Sequence, residues 1–205
     1  MRRVSLLFLF TILTIAGAAH GQQRYTYPGM GYDQQERRVS PASILERGLN
    51  KLIHFMRQPG GVEQQELIEF VEKKVVPHFD FDRMAGMSVG RHWRRMSDKQ
   101  REKVANRLKD DFLEIMVRRL SGYNGQGARV VGTRRTGERE AMAAVVLDNP
   151  QGYPTKLAFK FHRVDSDWKV FDVSANGSSA IMHYRQQFRS QRRLRRSPVG
   201  PSAAR

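Results

Sequence analysis

The side chains of this 205-residue chain that have chemistry to offer are six histidines and a few carboxylates, and their spacing argues against most reactions. No two of His20, His54, His78, His92, His162 and His183 stand at the His-x-x-x-His interval that puts two imidazoles on one helical face, which argues against a metal site. The densest group of hard donors is His78, Asp80 and Asp82. A helix start accounts for both acids, because a carboxylate there meets backbone N–H groups that lack a partner within the helix. There is no cysteine, which removes thiolate metal sites, Cys nucleophiles and a disulfide framework together. There is also no Gly-x-Ser-x-Gly elbow, no His-Glu-x-x-His and no phosphate-cradling glycine loop after a strand. Gly122, Gly125 and Gly127 follow a helix instead of opening one. What remains for general acid–base work is Asp148, Asp172 and Tyr184. Asp148 adjoins the turn Asn149-Pro150. Asp172 lies in a strand between Phe171 and Val173 and is the better candidate, against the competing reading of a buried or edge carboxylate paired with an arginine.

The elements that must position these residues come as helices first and strands after. A first helix is announced by Ser40-Pro41 or by the capping-box spacing Ser43-x-x-Glu46. It carries Ile44, Leu45, Leu49, Leu52, Ile53 and Met56 on one face and stops at Pro59-Gly60-Gly61. Leu67, Ile68, Val71 and Val75 mark a second helix before Pro77, and Asp80 caps a short third one carrying Met84, Met87 and Val89 up to Gly90. The longest helix starts at Ser97-x-x-Gln100, runs through Val104, Leu108, Phe112, Ile115, Met116 and Leu120, and ends at Gly122. After Gly127 the period falls from about 3.6 to 2. Four strands are expected, near Ala128–Thr133, Glu140–Asp148, Thr155–Val164 and Trp168–Ser174, joined by turns at Thr136-Gly137, Asn149 to Gly152 and Asp165 to Asp167. A last helix is expected over about Ser179–Ser190. The fold class is therefore α+β, helices packed on one face of a curved four-stranded antiparallel sheet. The strands are apolar on both parities: Ala141, Ala143, Val145 and Leu147 alternate with Met142, Ala144 and Val146, so both faces are covered or one lines a cavity.

The ends of the chain set its address. Arg2 and Arg3, the apolar run Val4 to Ile15 and the small residues Ala16 to Ala19 form the pattern of a secretory signal peptide, expected over residues 1–21. The run is shorter than the roughly 20 residues that span hydrocarbon. Residues 22–39, rich in Gln, Tyr and Gly, are expected to be a flexible leader, and 191–205 a basic disordered tail. The net charge is +16, and seven arginines without an acid lie between Arg185 and Arg205. In the cytosol that charge would point to nucleic acid. Behind an export signal it points to anionic lipid head groups or an acidic protein.

Two stretches carry a resemblance. Phe79-Asp80-Phe81-Asp82-Arg83-Met84-Ala85, leading into Gly90-Arg91-His92-Trp93-Arg94 and Ser97-Asp98-Lys99-Gln100-Arg101, resembles the MlaC, or toluene-tolerance, family. Trp168 to Val173 with Gly177-Ser178-Ser179 and Tyr184-Arg185-Gln186-Gln187-Phe188 is similar to that family's C-terminal signature. Where the family commonly has Glu-Gly-Val-Ser, this chain has Asn176-Gly177-Ser178-Ser179, a polar residue in place of an apolar one. The resemblance, over residues 40–190, implies a periplasmic carrier that holds a glycerophospholipid by its tails in an apolar cavity enclosed by the helices and sheet. It implies passage of that lipid between an outer-membrane lipoprotein complex and an inner-membrane ABC transporter with an MCE-domain subunit, which maintains outer-membrane lipid asymmetry. It implies no enzyme and no cofactor, the phospholipid being cargo, and no nucleic-acid partner. The lining expected on this reading is Met84, Val89, Phe112, Met116, Val145, Leu157, Phe159, Phe161 and Ile181. The alternatives are a non-catalytic periplasmic scaffold of the same fold or a small-molecule enzyme using Asp172.

Overall fold

The computed structural model describes residues 40–149 and 152–196, with side chains as far as residue 190. The expected signal peptide and leader, and the tail beyond residue 196, lie outside the described residues. Helix α1 is Pro41–Met56. Of its two candidate starts the chain uses Ser40. The Ser40 hydroxyl accepts the Ser43 N–H at 3.2 Å, the Ser43 hydroxyl accepts the Ser40 N–H at 3.0 Å, and Pro41 fills the first helical position, where its missing N–H costs nothing. Helix α2, Gln64–Lys74, leads through a 3-10 turn at Val76–His78 into α3, Phe81–Val89. Gly90 closes α3 at φ +71°, a conformation that costs glycine little, and a second 3-10 turn, Gly90–Arg95, follows. Helix α4, Asp98–Leu120, opens on the expected Ser97/Gln100 capping box. Helix α5, Ala180–Arg196, runs past its expected end and into the segment expected to be a disordered tail.

The sheet has five strands, not four: β1 Ala128–Arg135, β2 Glu140–Leu147, β3 Thr155–Val164, β4 Asp167–Ala175 and β5 Ser178–Ser179, antiparallel in sequence order. The extra strand is made by Asn176-Gly177, whose φ values of +47° and +88° turn the chain back so that Ser174 pairs with Ser179. Beyond β5 the free edge of β4 is met by Phe79, which bridges to Val170, and by the Asp80 N–H, which donates to the Val170 carbonyl at 2.8 Å.

Helices cover both faces of the sheet, where the strand pattern had placed them on one. Ala141, Ala143 and Val145 pair with Phe161, Phe159 and Leu157, and these side chains pack with Leu45, Ile44 and Leu49 of α1. The intervening residues of β3 and β4, Lys160, His162 and Asp172, bond to one another and to α3 and α5. A bulge makes this possible. Lys160 pairs with Asp172 and Phe161 with Val170, so Phe171 is an extra residue; Val170 joins the core beneath α1 and Phe171 the core formed with Met84, Leu108, Ile181 and Tyr184. A third core joins Leu67 and Val71 of α2 to Val117 of α4. The α4 stripe differs accordingly from its expected form: Ala105 and Val117 are buried, while Ile115 is 39% exposed.

Candidate functional site

The Phe79-Asp80-Phe81 segment is where the three cores meet. Phe79 packs against both sheet-associated cores, Phe81 against the α3–α5 core and Phe112 against the α2–α4 core. Their rings lie at 4.5 Å (Phe79–Phe112), 5.5 Å (Phe81–Phe112) and 5.8 Å (Phe79–Phe81) between centroids. Asp80 between the two phenylalanines fixes them. Its Oδ1 accepts the Arg83 N–H at 2.8 Å as the N-cap of α3, and its Oδ2 meets His162 Nε2 at 2.8 Å. His162 is a buried residue of β3, and its Nδ1 faces Arg83 Nη1 at 3.3 Å, while the same guanidinium pairs with Glu140 and lies 4.5 Å over the Phe171 ring. This network assigns the neutral tautomer: Nε2–H donates to Asp80 and Nδ1 accepts from Arg83. Burial, then the Arg83 charge, holds the imidazole below its ordinary pKa against the opposing pull of Asp80 and Glu140.

The nine expected lining residues are divided among these cores. Val145 and Phe161 are both fully buried in the α1–sheet core, opposite Leu157 and Ala141, with Leu157 and Phe159 packed against that core. Met84 and Ile181 belong to the α3–α5 core, and Phe112 and Met116 flank the α2–α4 core. Val89, half-buried at the end of α3, belongs to none of the three. The sheet residues thus come together, but the nine do not share one chamber. Phe79 and Phe81, which join the cores, were legible as aromatics flanking a helix cap but were not expected in the lining.

Among the described residues, two clefts border this apolar interior. One, of about 400 Å³, is bounded by Phe79, Phe81 and Ala105 with Asp82, Glu102 and Lys109 at its rim. The other, of about 150 Å³, lies between α1 and α2. Its apolar walls are Ile44, Phe70 and Val75, and its rim carries Arg47, Lys51, Lys73, Lys74 and His78. Phe55 of α1 stacks on Phe70 at 4.1 Å and holds the two helices together there. Burial, followed by the charges of Lys169, Lys51 and Arg47, pushes the His78 imidazole below its ordinary pKa. His78 and Asp80 therefore serve different openings. Among the described residues no three His, Asp or Glu side chains converge as metal ligands.

The acid–base candidates are engaged elsewhere. Asp172 is buried and fully occupied: it accepts from Ser179 Oγ at 2.9 Å, Lys160 Nζ at 3.0 Å and the Ile181 N–H at 3.3 Å. Ser179 in turn accepts the Met182 N–H at 3.3 Å. The carboxylate thus anchors the start of α5 to β4, with a lysine where an arginine was the expected partner. Asp148 pairs with Arg129 at 2.6 Å on the surface. Tyr184 is buried between α3, α4 and α5, and its hydroxyl is pushed up to about 12, first by burial and then by Asp111. The arrangement offers apolar volume bordered by charge, and the one buried carboxylate among the described residues, Asp172, is consumed by structure.

The family model described as MlaC protein matches residues 46–198. No curated protein matches the sequence. Among solved structures, the fold is similar to that of a phospholipid-binding protein from Ralstonia solanacearum, solved in complex with a phospholipid. That likeness has a TM-score of 0.68 at 19% identity and covers 77% of this chain and 89% of the other.

Proposed function

The chain belongs to the MlaC family, and we propose that it is a non-catalytic phospholipid carrier of the periplasm that takes a glycerophospholipid by its acyl tails and passes it between outer- and inner-membrane complexes. The observation that carries this reading is the family match over residues 46–198, joined to a fold shared with a protein that was solved holding a phospholipid. The physical chemistry agrees. Two acyl chains of about 15 methylenes, at roughly 0.8 kcal/mol each, carry on the order of 24 kcal/mol of hydrophobic free energy, nearly equal in a bilayer and in an apolar pocket, so transfer is close to neutral. Ala143, Val145 and Phe161 are fully buried among side chains, so on this reading a lipid tail enters by displacing apolar contacts of the core. Helices α3 and α5 are tied to the sheet by Asp80–His162, Arg83–Glu140 and the Asp172 cap. Helix α1 meets the sheet through Leu45, Ile44 and Leu49, whose aliphatic contacts a lipid tail can replace in kind. The lining is then the α1-facing set, Val145, Leu157, Phe159 and Phe161. The partner-facing surface is where Arg185 of α5 donates to the Met87 carbonyl at 2.7 Å and packs by Met182, both methionines being exposed.

The test is organic extraction or native mass spectrometry of the purified protein. A co-purifying phospholipid, lost in Phe159→Asp without loss of the folded circular-dichroism spectrum, is the expected result. Protein that is empty and takes up no lipid from vesicles overturns the reading.

A further inference from the structure

The α1–α2 opening concentrates positive charge without a structural need for all of it. Lys73 and Lys74 end α2, where the helix dipole welcomes cations, and Lys73 pairs with Glu69 at 3.0 Å. Lys51 has no such reason. It stands one turn from Arg47 in the middle of α1, a like-charge spacing that disfavours the helix. Among the described residues no carboxylate pairs with Lys51 or Lys74. Lys169, whose ammonium donates to the Pro77 carbonyl at 2.7 Å, adds a further cation beside His78, whose imidazole is held below its ordinary pKa first by burial and then by the charges of Lys169, Lys51 and Arg47. Beneath the rim the walls are apolar: Ile44 packs onto the α1–sheet core and Val75 onto the α2–α4 core. Charge above and hydrocarbon below is the profile of an anionic amphiphile.

We propose that this rim is an anion subsite of the lipid site, in which Arg47, Lys51 and Lys74 hold the phosphodiester of the cargo while Ile44, Phe70 and Val75 receive the start of its chains. The proposal rests on the carrier reading for the identity of the anion as a lipid phosphate. A free phosphate shares the same chemistry, and the test separates the two. Full-length mature protein and its Lys51→Gln/Lys74→Gln variant are incubated with vesicles holding limiting phosphatidylglycerol or limiting diacylglycerol in a phosphatidylcholine-free synthetic matrix, and protein-bound lipid is quantified by mass spectrometry. Binding of inorganic phosphate is measured in parallel by calorimetry.

Losing two charge-assisted contacts should lower phosphatidylglycerol uptake by about tenfold or more and leave diacylglycerol uptake unchanged, and Lys51→Arg/Lys74→Arg should keep uptake near wild type. Equal loss of both lipids in the glutamine variant, or loss of neither, overturns the subsite. If wild type takes up neither lipid but binds phosphate in a Lys51- and Lys74-dependent way, the carrier reading fails and the anion site stands as one for free phosphate. If it takes up neither lipid and binds no phosphate, both fail.

Discussion

Replacing Asp80 by asparagine tests the polar hinge of the site at the level of single protons. The amide oxygen can still accept the Arg83 N–H, so the cap of α3 survives. The amide nitrogen then faces His162 Nε2, now donor against donor. If the imidazole moves its proton to Nδ1 to escape, it faces Arg83 Nη1, again donor against donor. One buried donor is left unmatched in either tautomer, at a cost of about 1–3 kcal/mol. The Asp80 and His162 side chains are 22% and 11% exposed, so water serves part of the need and the lower half, about 1–2 kcal/mol, is expected. With a urea dependence of about 2 kcal/mol per M, the unfolding midpoint should fall by about 0.5–1 M. Asp80→Ala should cost about 1 kcal/mol more, because it also removes the cap. In Asp80→Asn/His162→Gln the two new amides can pair, so the double variant should be less destabilised than the sum of the singles. Urea unfolding followed by circular dichroism reads all five proteins, His162→Gln alone included. The reasoning is refuted if Asp80→Asn matches wild type, or if it costs as much as Asp80→Ala.

The same network fixes a pH dependence. His162 and His78 both have folded pKa values below 6.5, so their contribution to stability is complete above pH 6.5 and is lost as the pH falls from there through the folded values. His162→Gln should flatten part of that acid slope in urea midpoints, and an unchanged slope would contradict the assignment. Phe161, fully buried opposite Ala141, should cost about 3–5 kcal/mol as Phe161→Ala in thermal unfolding, and more than the partly buried Phe159→Ala. Gly90→Ala forces a side chain to φ +71° and should cost about 1 kcal/mol or more, read by the same assay. At about 1 kcal/mol per basic residue near an anionic surface, Arg185→Glu/Arg189→Glu should weaken cosedimentation with phosphatidylglycerol vesicles at least tenfold at low salt. Salt-independent binding would remove α5 from the docking surface.

Local rules reached most of the elements because each had a donor or a turn to satisfy. Ser97 with Gln100 and Asp80 with the Arg83 N–H cap their helices as their spacing requires. The period-2 strands pair as consecutive antiparallel hairpins, Ala141 with Phe161 and Val145 with Leu157. The first helix shows how two valid local signals compete: Ser43-x-x-Glu46 fits the box, but Pro41 must stand at a helix start, so Ser40 is the cap and Ser43 its reciprocal partner. The fifth strand was legible and overlooked. Asn-Gly is the strongest two-residue hairpin signal, and Asn176-Gly177 folds Ser178 and Ser179 back on β4. Asp172 was visible as a buried strand carboxylate, but its partners Lys160, Ser179 and the Ile181 N–H come from three elements, so no spacing could reveal that it caps α5.

The apolar interior is the part a sequence cannot settle, and the reason is physical. An alternating strand such as Ala141 to Leu147 satisfies the same burial whether its neighbours are protein side chains or acyl chains, since both are hydrocarbon at similar density. Here side chains fill the space, with Val145 and Phe161 fully buried. A carrier must nevertheless exchange one filling for the other, and that is possible only where the closing contacts are apolar on both sides. The polar anchors are placed accordingly. They fasten α3 and α5 to the His162 and Asp172 face, while on the α1 face Leu45, Ile44 and Leu49 pack into the sheet core. On the carrier reading, separating α1 from the sheet would expose aliphatic surface that an acyl chain can cover. Separating α3 would strand Asp80, Arg83 and Glu140 without their partners, a cost that no acyl chain can return.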